Sequence, residues 1–311
     1  MIMKAYLVIC SLVLVACLPL FSRGFYTSLD GENHLVRIAN FCQEIKKGKL
    51  FPGWVDSLNQ GQGYPIFYFS YPLPYYLSCV PNLLGISVIF SLKIVLVLAT
   101  FASVWLFWQW TDNLSAALIF LFTPYRFVNL YVRAALGEIL FTPLVIGAFW
   151  MMKRKSFFGV SIFVSLMLLS HLQLSLVFIP ILLITNFKYW KGVVLGIMLS
   201  AFFWLPAIVL TTYTKHSQVH QFLPNLHLPG IAKLLYSRWN YGFSPDGISF
   251  QLGVVQWLIL LVAMVKLRSK WLLAIILAAI FLMTEFSGAI WRVGWFDWIQ
   301  FPWRLLMIPM V

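Results

Sequence analysis

Long apolar runs separated by short polar segments dominate the chain. A membrane-spanning helix needs about 20 predominantly apolar residues, and runs near this length recur from one end to the other. The pattern predicts an all-α integral membrane protein with about 9–10 transmembrane helices. We place the helices at 5–21, 86–108, 114–125, 138–152, 156–170, 172–187, 192–210, 251–265 and 271–287, with a last segment starting near Phe301.

Two long stretches, 22–85 and 211–250, interrupt the apolar pattern and are predicted to be extracytoplasmic loops, the first of which carries interfacial helices. An alternative division makes 73–90 a span and reverses the orientation of everything after it. The whole chain, 1–311, is predicted to be a single transmembrane domain. Its last segment is too short to cross a bilayer, so we expect further helices after Val311.

The composition agrees with a membrane location, and the distribution of the positive charge argues against nucleic-acid binding. The chain of 311 residues is 61% hydrophobic, with a mean hydropathy of +0.88. Soluble proteins average about 45–50% apolar residues. The net charge of +13 is spread between apolar runs and forms no basic domain. This distribution excludes nucleic acid as a partner and indicates membrane orientation instead.

The positions of the basic residues predict the orientation. With the N-terminus in the cytoplasm, every short inner loop except 109–113 carries Lys or Arg, as expected for cytoplasmic loops. Both long loops, and eight of the nine acidic residues, then fall on the outer side. The basic residues of the inner loops are Lys153, Arg154, Lys155, Lys188, Lys191, Lys266, Arg268 and Lys270.

The first apolar run has a second interpretation. It follows one Lys and could be a signal peptide, and Leu14-Val15-Ala16-Cys17 resembles a lipoprotein cleavage site. Because many apolar runs follow, the chain needs no lipid anchor, and we predict an uncleaved first helix.

A cluster of ionisable residues follows that first helix. Asp30 and Glu32 lie one residue apart, with His34 and Arg37 close behind. Two carboxylates just outside a membrane are typical of a site that handles a proton or a divalent cation. The pattern of polar and apolar side chains at 38–45 predicts an amphipathic helix after the cluster. The alternative is a loop on lipid headgroups whose charges are solvated.

Arginines at the outer boundary predict a phosphate site. If 124–138 is helical, Arg126, Asn129 and Arg133 share one face by their spacing of three and seven. Guanidinium groups match phosphate geometry, so the two arginines could clamp a phosphate. Arg304 is a further candidate. The alternative for all three arginines is an interfacial contact with lipid headgroups.

Two smaller features complete the candidate chemistry. His171 lies at the outer end of a predicted helix, where an ionisable side chain is a candidate for function or a plain helix terminus. Cys42 and Cys79 share the first long loop and could form a disulfide, but their spacing leaves the pairing open.

The layout resembles the GT-C class of glycosyltransferases. The shared features are a first helix followed by Asp-x-Glu, a Gly-Lys turn at Gly48-Lys49 and the stretch Pro72-Leu73-Pro74-Tyr75-Tyr76-Leu77. The stretch Pro124-Tyr125-Arg126 to Gly137-Glu138 is similar to bacterial membrane proteins often labelled "6-pyruvoyl-tetrahydropterin synthase-related". The specific motifs cover 30–77 and 124–138.

The resemblance implies a reaction and roles for particular residues. GT-C enzymes transfer a sugar from a polyprenyl-phosphate donor, and an acidic residue after the first helix is their catalytic position. On this chain that residue is Asp30, with Glu32 beside it; which carboxylate acts as the base stays open. The phosphate would contact Arg126, Arg133, Arg304 and His171. Some members bind Mg²⁺ or Mn²⁺, for which Asp30, Glu32 and Glu138 would be the oxygen ligands.

The resemblance also implies partners and a location. The partners would be membrane lipids, the lipid-linked sugar, and an acceptor that is a glycan, a lipid or a protein. The location would be a bacterial plasma membrane, with the site on the extracytoplasmic face. Two alternatives stay open: a transporter or flippase for a lipid or sugar, and a non-catalytic protein of the cell envelope.

Overall fold

The computed structural model describes residues 2–214, 227–239, 248–266, 270–293 and 297–311. Over these ranges the protein is helical and contains no β-strand beyond an isolated bridge between Val55 and Tyr64. The predicted all-α class is therefore confirmed for the described part of the chain.

The longer helices, eight residues or more in the described ranges, follow the apolar runs. Some long runs divide into two helices. The helices are α1 (Ile2–Ala16), α2 (Gly31–Lys46), α3 (Leu73–Leu83), α4 (Val88–Thr111), α5 (Leu114–Leu121), α6 (Leu136–Lys153), α7 (Phe157–Ser170), α8 (Leu172–Thr185), α9 (Trp190–Leu199), α10 (Ala201–Thr211), α11 (Val254–Lys266) and α12 (Lys270–Leu282).

Fewer helices reach membrane-spanning length than the 9–10 expected. In the described ranges α4 and α6 are long and apolar enough to cross a bilayer alone. The number rises to five if three bent pairs each count as one span: α5 with 124–133, α8 with 187–199, and α12 with 285–291. Bends of 49° and 85° interrupt the runs predicted at 114–125 and 271–287, whereas the 120° bend lies at the predicted end of the run 172–187.

Several predicted boundaries need correction. The first helix ends at Ala16, and Leu18–Phe21 continues as a 3₁₀-helix. The helix predicted at 192–210 divides at Ser200 into α9 and α10. The loop 22–85 carries helices, as predicted: α2, α3 and the short helix Ile66–Phe69. The helix predicted from residue 38 begins earlier, at Gly31. Of the predicted loop 211–250, only 211–214, 227–239 and 248–250 belong to the described residues, and they include the helix Gly230–Leu235.

The core forms where α4 packs along α6, α6 packs along α7, and α7 contacts α9. Helices α2 and α3 pack against each other and against α4. A disulfide between Cys42 and Cys79, whose Cα atoms lie 5.4 Å apart, joins α2 to α3. The question that the spacing left open is thus answered by the structure, and the disulfide fixes α2 beside the bundle.

A short π-helix, Val128–Arg133, connects the first loop to the bundle. The backbone N–H groups of Leu29 and Asp30 donate to the carbonyl groups of Val132 and Arg133, at 3.1 and 2.8 Å. The Tyr131 hydroxyl donates to the carbonyl of Ala16 at the end of α1. The first two bonds hold the start of α2 against the π-helix, and the third joins the end of α1 to it.

Candidate functional site

A polar cavity of about 140 Å³ lies where the start of α2 meets the π-helix and the start of α6. Most of its lining residues carry a charge or a hydrogen-bonding group, which is unusual in a chain that is only 10% charged. The lining residues are Asp30, Asn33, His34, Arg37, Tyr71, Arg133, Ala135, Glu138, His171 and Arg304.

Glu138, in the first turn of α6, is the central anion of this cavity. Its side chain is 2% exposed, and Oε1 lies 2.9 Å from Nη1 of Arg133 and 3.3 Å from Nε of Arg304. Oε2 accepts hydrogen bonds from the Tyr125 hydroxyl at 2.8 Å and from the Asn129 amide at 3.3 Å. A buried carboxylate requires such partners, because desolvation of an unpaired charge is costly.

Arg133 is positioned by the turn that follows it. Ala134 adopts a left-handed conformation with φ of 51°, which ends the π-helix and turns the chain into α6. The buried guanidinium also donates to the Asn129 side chain at 2.7 Å and lies 4.3 Å from the Trp303 ring centroid. Arg133 is therefore fixed from several sides.

Arg304 arrives from a distant part of the chain, the 3₁₀-helix Pro302–Leu306. Its guanidinium donates to the carbonyl of Ile299 at 3.0 Å and to the side chain of Gln173. It also lies over the Phe301 ring at 4.9 Å from the centroid. Glu138 is thus held between two arginines that are far apart in sequence.

His171 lines the cavity and also accepts a hydrogen bond that caps a helix. Its Nδ1 accepts the backbone N–H of Leu174 at 3.3 Å, which caps α8. Nε2 lies 4.0 Å from Glu138. His171 is therefore a helix terminus whose side chain also lines the polar cavity, and its functional role stays a prediction.

Asp30 is the carboxylate of the cavity that solvent can reach. Its side chain is 43% exposed, and Oδ2 lies 3.6 Å from Nη2 of Arg133. Burial raises the pKa of Asp30 above its ordinary value, and the positive charge of Arg133 opposes this rise. A reachable carboxylate with a raised pKa suits a group that accepts a proton.

The same face of α2 carries two cavity residues that were not assigned to the site from sequence. His34 Nδ1 lies 3.3 Å from the Tyr75 hydroxyl, and Arg37 Nη1 donates to the same hydroxyl at 3.5 Å. Burial, assisted by Arg37, lowers the pKa of His34 to about 3, so this imidazole is uncharged near neutral pH. The spacing 30, 34, 37 could have indicated one helical face, but the predicted helix began only at residue 38.

Tyr71 provides an aromatic wall to the cavity. Its ring stacks on His171, with centroids 5.5 Å apart and planes 24° apart, and lies parallel to Tyr75 at 6.1 Å. A Cβ atom on Gly137 would lie 2.5 Å from the Tyr71 ring, so a glycine here permits this close approach. Nothing in the sequence pattern had marked Tyr71 as a residue of the site.

The structure separates two predicted site residues from the rest. Glu32 is exposed and accepts from the Ser28 hydroxyl at 3.3 Å, outside the cavity lining. Arg126 lines a different cavity. The expected common face for Arg126 and Arg133 fails because residues 128–133 are a π-helix, whose wider turns change the angle between successive side chains. Asp30, Arg133, Glu138, His171 and Arg304 do meet.

The metal ligands suggested by the resemblance are not brought together. No group of three or more His, Cys, Asp or Glu able to hold a metal occurs in the part of the chain that the structure describes. Glu138 directs its oxygens at Arg133 and Arg304, Tyr125 and Asn129, while Glu32 points elsewhere. The residues at this site therefore do not fit Mg²⁺ or Mn²⁺.

Charges in the cavity favour an anionic ligand. Arg37, Arg133 and Arg304 face two carboxylates, Asp30 and Glu138, which leaves an excess of one positive charge. Among the described arginines, those in ion pairs are Arg133 and Arg304, so Arg37 contributes the surplus charge. A phosphate oxygen is a natural partner for such a guanidinium.

No family model, no curated protein and no solved structure matches this chain.

Proposed function

We propose that this protein is a membrane glycosyltransferase that moves a sugar from a polyprenyl-phosphate donor to an acceptor hydroxyl. The single observation that carries the proposal is the pairing of a solvent-accessible carboxylate, Asp30, with Arg133 in a cavity that has a positive excess. A base and an anion site side by side are what this transfer needs. The resemblance to GT-C enzymes in 30–77 and 124–138 supports the same reaction.

Asp30 is the proposed general base. In an inverting transfer, the acceptor oxygen attacks the anomeric carbon and forms the new C–O bond while its proton passes to the Asp30 carboxylate. The bond between the anomeric carbon and the phosphate oxygen breaks at the same time. Burial raises the pKa of Asp30, which makes the carboxylate a better proton acceptor than an ordinary aspartate.

The arginines are proposed to stabilise the leaving group. A phosphodiester donor carries one negative charge, and the departing polyprenyl phosphate carries up to two. Groups that bind the developing charge more strongly than the initial one lower the barrier. Arg37 and Arg133 line the cavity and are proposed to bind this developing charge. Arg37 has no carboxylate within ion-pair distance among the described residues. Glu138 keeps Arg133 and Arg304 in place.

The membrane location and orientation belong to the proposal. Helices α4 and α6 have the length and apolarity of membrane spans. The basic loop around Lys153 and Arg154 lies at the far end of α6 from Glu138, so a cytoplasmic position for that loop puts the cavity toward the opposite face. The disulfide Cys42–Cys79 agrees with an oxidising, extracytoplasmic side. We therefore place the site on the outer face of a bacterial plasma membrane.

The experiment uses membranes that contain the full chain and a bacterial lipid extract as a broad donor pool. Mass spectrometry follows each lipid-linked sugar and its conversion to free polyprenyl phosphate. We expect the wild type to consume one lipid-linked sugar and Asp30→Asn to lose the activity by about 10²-fold or more. Glu32→Gln is the matched control, because it removes the neighbouring carboxylate that lies outside the cavity.

The outcomes separate the three candidate functions. Equal consumption by wild type and Asp30→Asn, with both proteins folded, would contradict the role of Asp30. Movement of an intact lipid-linked sugar across the membrane, with no free polyprenyl phosphate, would favour the flippase. No change in any lipid-linked sugar across the pool would favour a non-catalytic envelope protein.

A further inference from the structure

A second cavity lies around Arg126, which is in the helical turn just before the π-helix. Asn129 borders it and also contacts Glu138 and Arg133, two lining residues of the polar cavity. The enclosed space is small, about 20 Å³, which is room for roughly one oxygen atom of a ligand. We call it the Arg126 cavity.

Arg126 has polar atoms that the protein itself does not satisfy. Its Nε is buried and has no hydrogen-bond partner among the described residues. Arg133 and Arg304 are the arginines with ion pairs in the described ranges, so Arg126 has no carboxylate within ion-pair distance there. Its guanidinium carbon lies 4.4 Å from the centroid of the Phe120 ring. Arginine keeps its charge under all ordinary conditions, so the site holds an uncompensated cation.

The other polar groups of the Arg126 cavity are already engaged. The hydroxyls of Thr100 and Thr142 donate to carbonyls of their own helices, at 2.8 and 2.9 Å. Asn129 uses its oxygen for Arg133 and its nitrogen for Glu138. No acidic residue lines the cavity. Among the lining side chains, Arg126 is therefore the polar group that is available to bind a ligand.

The surroundings are apolar, which restricts the class of ligand. Leu121, Phe127 and Leu130 contribute walls of the cavity. Phe122, which stacks on Phe127 at 6.1 Å, is 47% exposed on the adjacent surface. An anion that arrives here meets one guanidinium and a hydrocarbon surface. A phosphate attached to an apolar tail satisfies both features.

We infer that the Arg126 cavity binds the phosphate group of a membrane lipid, separately from the polar cavity around Asp30. One phosphate oxygen enters beside Nε of Arg126, and the acyl chains lie on the apolar surface near Phe122 and Phe127. The inference rests on the proposed membrane location and not on sugar transfer. It assigns Arg126 to a second anion site, whereas the sequence grouped it with Arg133.

The test measures lipid binding to the purified full chain in detergent, by native mass spectrometry and by thermal unfolding. The probes are phosphatidylglycerol, diacylglycerol with the same acyl chains but no phosphate, and inorganic phosphate without chains. We expect phosphatidylglycerol to bind and to raise the unfolding temperature by about 2–4 °C. Diacylglycerol and inorganic phosphate should have much smaller effects, because the first lacks the phosphate group and the second lacks the acyl chains.

The variants are Arg126→Gln and a matched control, Arg23→Gln, which removes an exposed arginine. Arg126→Gln should weaken phosphatidylglycerol binding about tenfold or more, as expected for a lost charge-assisted contact. Arg23→Gln and Asp30→Asn should bind as the wild type does. Without lipid, Arg126→Gln should unfold at the same or a higher temperature than the wild type, because it removes an uncompensated charge.

Three results would overturn the inference. The first is equal phosphatidylglycerol binding by Arg126→Gln and wild type. The second is equal stabilisation by inorganic phosphate, which would mean that no lipid is recognised. The third is equal binding of diacylglycerol, which would mean that the phosphate is irrelevant. If Arg126→Gln does not fold, Arg126→Lys provides the same test: it keeps the charge, lacks Nε, and should bind more weakly than the wild type. Because lipid binding is measured separately from sugar transfer, failure of sugar transfer leaves this test intact.

Discussion

Asp30 and Arg133 contact each other twice. The backbone N–H of Asp30 donates to the carbonyl of Arg133 at 2.8 Å, and the Asp30 carboxylate lies 3.6 Å from the Arg133 guanidinium. The backbone bond fixes where α2 begins, and the side-chain contact fixes where the carboxylate points. Arg133 is itself held by Glu138. The position of the proposed base therefore depends on a residue more than 100 positions away in the sequence.

The pH dependence of the proposed transfer follows from Asp30. A carboxylate base is active when ionised, so the rate should fall as the pH falls through the pKa of Asp30. Since burial raises that pKa, the loss should begin at a higher pH than the ordinary value of 3.8 implies. The measurement is kcat/KM for the wild type between about pH 4 and pH 8.

Arg37→Gln tests the same assignment from the opposite direction. The positive charge of Arg37 lowers the pKa of Asp30, so its removal should move the acidic limb to higher pH. A wild-type rate that stays constant down to about pH 4 would contradict a base with a raised pKa. An unchanged limb in Arg37→Gln would contradict the electrostatic contact between the two residues.

Glu138→Gln should destabilise the protein strongly. The substitution keeps the size of the side chain but leaves Arg133 and Arg304 buried without their common anion. Removal of one partner from a buried ion pair costs about 3–5 kcal/mol. The measurement is the free energy of unfolding in detergent. The double variant Glu138→Gln with Arg133→Gln should lose less stability than the sum of the two single variants.

Asp112→Asn is the matched control for Glu138→Gln. Asp112 pairs with Lys153, but its side chain is 78% exposed. Exposed ion pairs contribute little because solvent screens them, so this variant should unfold close to the wild type. Equal effects of Asp112→Asn and Glu138→Gln would mean that the buried cluster contributes no more than a surface pair.

Part of this site could be predicted from the sequence. Asp30 stands out because it is an acidic residue just after the first apolar run, and Arg133 and Glu138 belong to a charged group between two other runs. The partner of Glu138 could not be found in this way, because Arg304 reaches it only through the folding of the last described segment. The family resemblance suggested Glu138 as a metal ligand, whereas its oxygens face guanidinium, hydroxyl and amide groups.

In the described part of the chain, the predicted number of transmembrane helices was too high for a different reason. Hydrophobicity identifies an apolar run but does not reveal where the run bends. The run predicted at 192–210 contains a helix boundary at Ser200, and the run predicted at 114–125 bends by 49° before residues 124–133. The π-helix at Val128–Arg133 has no sequence signal that we recognised, and it separated Arg126 from Arg133. Local backbone geometry, more than composition, determined which charged residues meet.

His34 should make the stability depend on pH. Its pKa is lowered from 6.5 to about 3 by burial and by Arg37, so the unfolded chain binds a proton more readily than the folded protein. The stability should therefore fall as the pH drops below about 6.5 and should continue to fall until about pH 3. Asp30, whose pKa is raised, contributes with the opposite sign over its own range.

Comparison of His34→Gln with the wild type isolates this contribution. The variant cannot gain a proton at this position, so its unfolding temperature should decline less steeply between about pH 6.5 and pH 4. The glutamine amide can still contact the Tyr75 hydroxyl, which His34 contacts at 3.3 Å. Parallel curves for the two proteins would mean that His34 is protonated as easily in the folded state as in the unfolded state.

The disulfide between Cys42 and Cys79 should stabilise the cavity by fixing α2. Cys42 lies on α2, which carries His34 and Arg37 and begins directly after Asp30, and Cys79 lies on the helix that carries Tyr75. A cross-link between residues 37 positions apart restricts the unfolded chain and typically contributes about 2–4 kcal/mol. Cys79→Ser should therefore lower the free energy of unfolding by an amount in this range and should weaken the alignment of Asp30 with Arg133.

Peptide mass spectrometry without reductant should find Cys42 joined to Cys79 in the wild type. Cys10, which is a free cysteine on α1, provides the control: Cys10→Ser should leave both the unfolding curve and the cross-linked peptide unchanged. Reduction of the wild type should reproduce the effect of Cys79→Ser, because both remove the same link. If the protein isolated from cells has both thiols free, then hydrogen bonds and packing alone hold α2 beside α3, and the disulfide no longer supports an extracytoplasmic site.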